Sequence, residues 1–358
     1  MSGEVEFDRE VWQCAACRRT HAPVDRAMGL KPKGKWTQGV ERKTAFAAAR
    51  ASYADASQAL DELAGLKVST SEVDRIAQEH GVALDKLQRK EEEAWREPVS
   101  PWRDTPRPEI QCERLVGEAD AACVLTVSGE EHKSVCCGTV FDADARGRSG
   151  ERPFVSHRLY TASAEDMGDF GERFKALAWR GGMRGARVAF LADGARCLWK
   201  WAEENLPPGT LFIQDFWHVC ERLSQLAQVL YPKGWEKPFA KWKTSLREGK
   251  VNNVIQTLRR LRPKFKGEAA AALDEQLAYL ANGRHRMDYV RYEAEGWPIG
   301  SGAIEGTCKH LVKSRFCLTG ARWRRGNIHK ILALLLAQFN NEWSKYWNCQ
   351  SYEMAKAA

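Results

Sequence analysis

Ala186-Arg187-Val188-Ala189-Phe190-Leu191-Ala192-Asp193-Gly194-Ala195 is the stretch on which the fold turns. A mostly apolar run of this length, stopped by an Asp-Gly pair, reads as a buried strand ending in a turn. Residues 196–205 then have the pattern of a helix. Thr210-Leu211-Phe212-Ile213-Gln214 reads as a second strand, which reaches Asp215. Strand, helix and strand in this order form a βαβ unit with parallel strands. Upstream, residues 164–181 form an amphipathic helix through Met167, Phe170, Phe174, Leu177 and Ala178. Before that helix lie three strand patterns, at 111–120, 133–142 and 154–161.

Three antiparallel strands followed by βαβ is the element order of an RNase H-like fold: an α/β core on a mixed sheet. Residues 219–295 are helical, basic and aromatic, with breaks at Pro232, Gly234, Pro263, Gly267 and Gly283. They read as an insertion between two parts of the core, 111–218 and 296–358. The apolar helix beginning near Asn327 is expected to pack back on the sheet. Ahead of the core, residues 40–97 read as a helical domain. A helix over 54–64, a turn at Gly65, and a capping box at Ser69-Thr70-Ser71-Glu72 that opens a helix to about His80 resemble a helix-turn-helix. Any αα-hairpin has the same pattern. Residues 98–110, rich in proline, form a linker.

The 358 residues carry a formal net charge of +8, a balance that favours a polyanionic partner. No apolar run approaches the roughly 18–20 residues that span a bilayer, and the acidic start of the chain does not read as a secretory signal. Eleven scattered cysteines suit reduced thiols in a cytoplasm. Within the first segment, 1–39, Cys14 and Cys17 form one C-x-x-C with His21 nearby. A zinc site ordinarily takes four ligands, so the pair reads either as a zinc-ribbon remnant or as two ordinary thiols.

Chemistry is expected from acids that the fold would bring together: Asp120 on the first strand, Asp193 after the fourth, and Glu305 on a late helix. Glu118, Asp142 and Asp144 rival Asp120. Converging carboxylates suit two divalent cations about 4 Å apart, an arrangement that drives in-line displacement at phosphate. Glu305 lies in Pro298-Ile299-Gly300-Ser301-Gly302-Ala303-Ile304-Glu305-Gly306, where Ser301 is placed to cap a helix that starts near Gly302. From Gly306 to Lys330 the chain has no Asp or Glu, and Lys309, Lys313, Arg315, Arg322, Arg324 and Arg325 offer contacts for DNA phosphates. Asp215 and His218, three apart, read as hydrogen-bonding support for the active end of the sheet. Trp297 and Trp323 are candidates either for stacking on a base or for core packing.

Leu191-Ala192-Asp193-Gly194-Ala195, Gln214-Asp215-Phe216-Trp217-His218-Val219-Cys220-Glu221-Arg222-Leu223, Ile299 to Glu305, Cys308-Lys309 and Gly320-Ala321-Arg322-Trp323 together resemble the ISKra-type bacterial insertion-sequence transposases. These belong to the DDE group and are related to Mutator-like enzymes. The resemblance covers most of the chain. It implies Mg²⁺- or Mn²⁺-dependent cleavage and strand transfer at element ends. Asp120, Asp193 and Glu305 would be catalytic and metal-binding, and Asp215 and His218 would match the family's D-x-x-H pair. Double-stranded DNA, both terminal inverted repeats and target, would be the partner of a homodimer in the bacterial cytoplasm. At the first acid this chain has Asp120-Ala121 where the family usually has Asp-Gly. Two other readings remain: a catalytically inactive, domesticated DNA-binding protein, and an RNase H-like nuclease or resolvase without a joining step.

Overall fold

Leu115, Ala119 and Val140 are buried on one face of the central sheet and Val116 and Phe141 on the other, so these strands carry a core on each side. The computed structural model describes residues 8, 10–18, 20–27, 35–96, 107–144, 146–149 and 152–357. Its sheet has five strands: β1 (Arg114–Val124), β2 (Lys133–Asp142), β3 (Arg158–Ser163), β4 (Arg187–Ala192) and β5 (Leu211–Gln214). They lie in the order β3-β2-β1-β4-β5. The pairs β3/β2 and β2/β1 are antiparallel; β1/β4 and β4/β5 are parallel. The protein is therefore mixed α/β, built on an open five-stranded sheet.

Helices cover both faces. On one, α4 (Met167–Arg180) and α5 (Arg196–Asn205) pack over Leu115, Ala119, Val140 and Phe190. On the other, Val116, Phe141, Ala189, Leu191 and Ile213 share a core with the helices that lie between β5 and Glu295 in the chain. These are α6 (Phe216–Leu230), α7 (Glu236–Arg247), α8 (Val251–Leu261), α9 (Gly267–Gly283) and α10 (Tyr289–Ala294).

The third core joins the two ends of the chain. Near the N-terminus stand α1 (Gln38–Arg50), α2 (Tyr53–Ala64) and α3 (Thr70–Arg96). After the insertion come α11 (Gly302–Thr307), α12 (Arg325–Phe339) and α13 (Trp343–Ala357). Ala48, Ile76, Leu84, Val124, Leu311, Leu334 and Trp347 belong to one buried cluster. At the α3–α12 crossing a Cβ on Gly81 would lie 2.5 Å from the Lys330 carbonyl oxygen, so only glycine permits that approach. Buried Arg173 on α4 donates to Asp85 and Glu92 of α3 and to Asp169, each at 3.0 Å, and ties the N-terminal helices to the sheet layer.

Several expectations are corrected by these contacts. The segment expected as one strand at 154–161 is two: Arg152–Val155 pairs with Arg146–Ser149, and β3 begins at Arg158. Between them His157 has φ 51°, which breaks the extended run. The helix expected to stop near His80 continues to Arg96, because its apolar face remains buried against α12 and α4. The last apolar helix lies mainly on α3 and only secondarily on β3. The 40–97 helices share a core with the C-terminal part, whereas they had read as a separate preceding domain. Residues 98–106 of the expected linker lie outside the described residues.

Candidate functional site

The β1/β4 register decides where the acids meet. Glu118 pairs with Leu191, so two further residues along each strand bring Asp120 level with Asp193. Neighbouring strands are about 4.8 Å apart. Parity also places both acids on one face: Val116 and Leu191 point into the insertion-side core, and Asp120 and Asp193 follow at even spacing. Asp120 had been expected at the end of its strand. It lies inside β1, which runs on to Val124 because β2 continues to pair with it after β4 has stopped.

Burial pushes the Asp120 carboxyl above its ordinary range, and the charge of Asp193 pushes it in the same direction. His218 and Lys313 act against this. Asp193 accepts the Ala195 amide at 3.0 Å, and Gly194, at φ 117°, makes the turn that a side chain would resist. Behind the turn, the Tyr279 hydroxyl of α9 donates to the Asp193 carbonyl oxygen at 3.0 Å, which links the insertion to the site. A cleft of about 510 Å³ opens beside Gly194 between α5, α6 and α9, with Arg196, Lys200 and Arg222 in its lining.

Asp215 is buried and caps α6, accepting the His218 amide at 2.8 Å. Its other oxygen accepts both the amide and the hydroxyl of Ser301. Against the cost of burial, these bonds from His218 and Ser301 hold Asp215 below the usual carboxylate range. The imidazole of His218 is pushed up to about 9, chiefly by Asp215, with Asp193 and Asp120 adding to the effect. Near neutral pH it is a cation beside two carboxylates.

Ser301 stands at the N-cap of α11, yet its side chain makes no cap bond, because the hydroxyl is engaged by Asp215. Glu118 takes over the capping role from another strand: its Oε2 accepts the Ile304 amide at 2.7 Å. The next residue, Glu305, is exposed on the first turn of α11, which packs across β1 and β2. After α11 the helix widens into a π turn over Cys308–Lys313, then tightens again over Ser314–Phe316. Such widened turns concentrate at functional sites.

Of the rivals to Asp120, Glu118 is buried in this capping bond. Asp142 pairs with Leu115, at the opposite end of β1, and Asp144 is bound by Arg114. Among the described residues no group of three or more His, Cys, Asp or Glu is gathered so as to hold a metal ion. The carboxylates of Asp120 and Asp193 are hard oxygen donors, the type a divalent cation takes, and Asp120 is raised first by burial and then by the charge of Asp193.

The basic residues divide. Lys309, Lys313, Arg322, Arg324 and Arg325 are exposed. Arg315 is 3% exposed; it lies over Tyr53 and Trp323 and donates to the Ala48 carbonyl oxygen at 2.9 Å. Its guanidinium holds the N-terminal helices and is withdrawn from the solvent-facing basic track. Trp297 and Trp323 are both buried. The tryptophan that stands open here is Trp217, which sequence reasoning passed over inside Asp215-Phe216-Trp217-His218.

Farther away, Cys14 and Cys17 are exposed in a turn flanked by the paired segments Trp12–Gln13 and Thr20–His21. Residues 54–80, the helix pair that resembles a DNA-reading helix-turn-helix, carry six carboxylates (Asp55, Asp61, Glu62, Glu72, Asp74, Glu79) against Lys67 and Arg75. Arg75 is itself paired with Glu72 and Glu79. A surface of that sign repels phosphate.

No helix among the described residues is long and apolar enough to cross a membrane. Neither the protein-family models nor the curated proteins include a match to this chain.

Proposed function

We propose that the chain is a DDE-type DNA transposase with an RNase H-like core, cutting and joining DNA at the ends of a mobile element. The observation that carries this reading is the register that sets Asp120 level with Asp193 on one face of a 3-2-1-4-5 sheet. The anchored helix of Glu305 supports it, as do the exposed basic residues that follow that helix.

Asp120 and Asp193 would hold Mg²⁺, with Glu305 joining them on the DNA-bound enzyme. Ions held there would supply Lewis-acid activation of the attacking oxygen and charge stabilisation at the leaving one. The chain's own residues do the positioning. Glu118 and Asp215 fix the start of α11, and His218 places positive charge beside the acid pair. Lys309 and Lys313, exposed on the π turn after α11, would contact phosphates of a bound strand.

The test is Mg²⁺-dependent cleavage of a labelled duplex carrying the DNA that flanks the gene, with Glu305→Gln alongside. Cleavage by the wild type and a loss of at least about 10³-fold in the variant support the reading. If both proteins bind and neither cuts with Mg²⁺ or Mn²⁺, the chain is a transposase-derived DNA-binding protein.

A further inference from the structure

Trp217 is the second residue of α6 and leaves 54% of its surface open, within the same four-residue motif as Asp215 and His218. An open aromatic ring offers a flat, electron-rich face to a planar or cationic group. This ring is held firmly at its edge. Phe216 meets it edge-on, with centroids 5.2 Å apart and planes at 79°. On the other side it lies so close to the loop leading into Glu305 that a Cβ on Gly300 would come within 2.6 Å of its Cδ1. The ammonium of Lys243, from inserted helix α7, sits 5.0 Å from the ring centroid.

An open indole two residues from Asp215 and packed on the loop that leads to Glu305, with a cation over it, matches what a DNA strand presents: a flat base with a phosphate next to it. Base stacking on an aromatic ring is indifferent to sequence, and cations beside the ring engage the backbone. We propose that Trp217 is a stacking platform for an unpaired nucleobase at the DNA end held in this site, with Lys243 directed at the adjoining phosphate. Trp217 is thus a positioning residue, and the proposal rests on the DNA-processing reading above.

The experiment uses the full chain in Ca²⁺, so that DNA is bound without being cut. The probes are two duplexes, one blunt and one with a short single-stranded overhang whose first unpaired base is 2-aminopurine, a fluorophore quenched on stacking. Wild type and Trp217→Phe should quench it. Trp217→Ala should abolish the quenching and lose about tenfold in affinity for the overhang duplex, in line with the measured value of one stacked base. Its affinity for the blunt duplex should change less than about twofold. An unchanged melting temperature in Trp217→Ala excludes a folding defect, and if that variant is unstable Trp217→Leu, which keeps apolar bulk and has no π face, carries the test. Equal quenching by wild type and Trp217→Ala overturns the stacking role while leaving DNA binding intact. Failure of the wild type to bind either duplex overturns the DNA reading and this proposal together.

Discussion

Glu118 caps a helix to which it is not joined. Its carboxylate, buried on β1, accepts the amide of Ile304, 186 residues later, and does so at the position where Ser301 would ordinarily serve. Ser301 is drawn away to Asp215. Two buried carboxylates, one inside β1 and one just after β5, thereby set the turn that presents Glu305.

Removing the cap should therefore act on both stability and the site. Glu118→Ala leaves the Ile304 amide without its acceptor and should cost about 2–3 kcal/mol, the range for hydrogen bonds to charged groups. Glu118→Gln retains an acceptor oxygen and should cost less than half as much. Urea denaturation of the three proteins measures this; equal stability of wild type and Ala variant would show that the bond contributes nothing.

Asp215 serves α6 and Ser301 at once. Asp215→Ala should cost about 2–4 kcal/mol, combining a lost cap with an unpaired buried hydroxyl. Asp215→Asn keeps one cap acceptor and should fall between wild type and Ala in the same denaturation series.

Stability should also depend on pH through His218. Its folded-state value, about 9, lies above the unfolded 6.5. Its pairing therefore contributes fully below pH 6.5 and is lost as pH rises through about 9. Asp215, held below 3.8, acts in the opposite sense: its contribution is present above 3.8 and fades as pH falls through its lowered folded value. The ring of His218 is 43% exposed, so solvent screening keeps its share small. The drop in melting temperature between pH 6.5 and 9.5 should be smaller in His218→Asn than in wild type, and identical drops would remove His218 from the account.

Arg315 and Lys313 stand two residues apart and should behave differently. Arg315→Ala should destabilise the fold by about 2 kcal/mol or more, through a lost hydrogen bond and two lost ring contacts. Lys313→Ala should leave stability nearly unchanged and lower the slope of DNA affinity against salt by about 1. Thermal melts and a salt titration of binding separate the two, and the pattern fails if Arg315→Ala is as stable as wild type.

Asp193→Asn should remove cleavage and keep affinity, because the exposed lysines and arginines are untouched. Loss of binding by a folded Asp193→Asn protein would place Asp193 in DNA contact.

Much of this was legible in the chain itself. Local pattern gave β2 at 133–142 and α5 at 196–205 with their observed bounds, since alternation and helical spacing are properties of adjacent residues. Asp193-Gly194 read as a strand-end turn for the same reason. Pairing partners are not written locally. Whether Asp120 or Asp142 sits near Asp193 depends on β1/β4 register, and nothing within either strand states that register. Likewise Arg315 and Lys313 look alike as letters in one basic run; only packing against Tyr53 and Trp323 buries the first and leaves the second in water. The capping role of Glu118 and the open face of Trp217 belong to the same class. Sequence determined the elements and the residue types available for chemistry, because those follow from short-range sterics and hydrophobic periodicity. Tertiary structure decided which of them meet, because that depends on contacts between residues far apart in the chain.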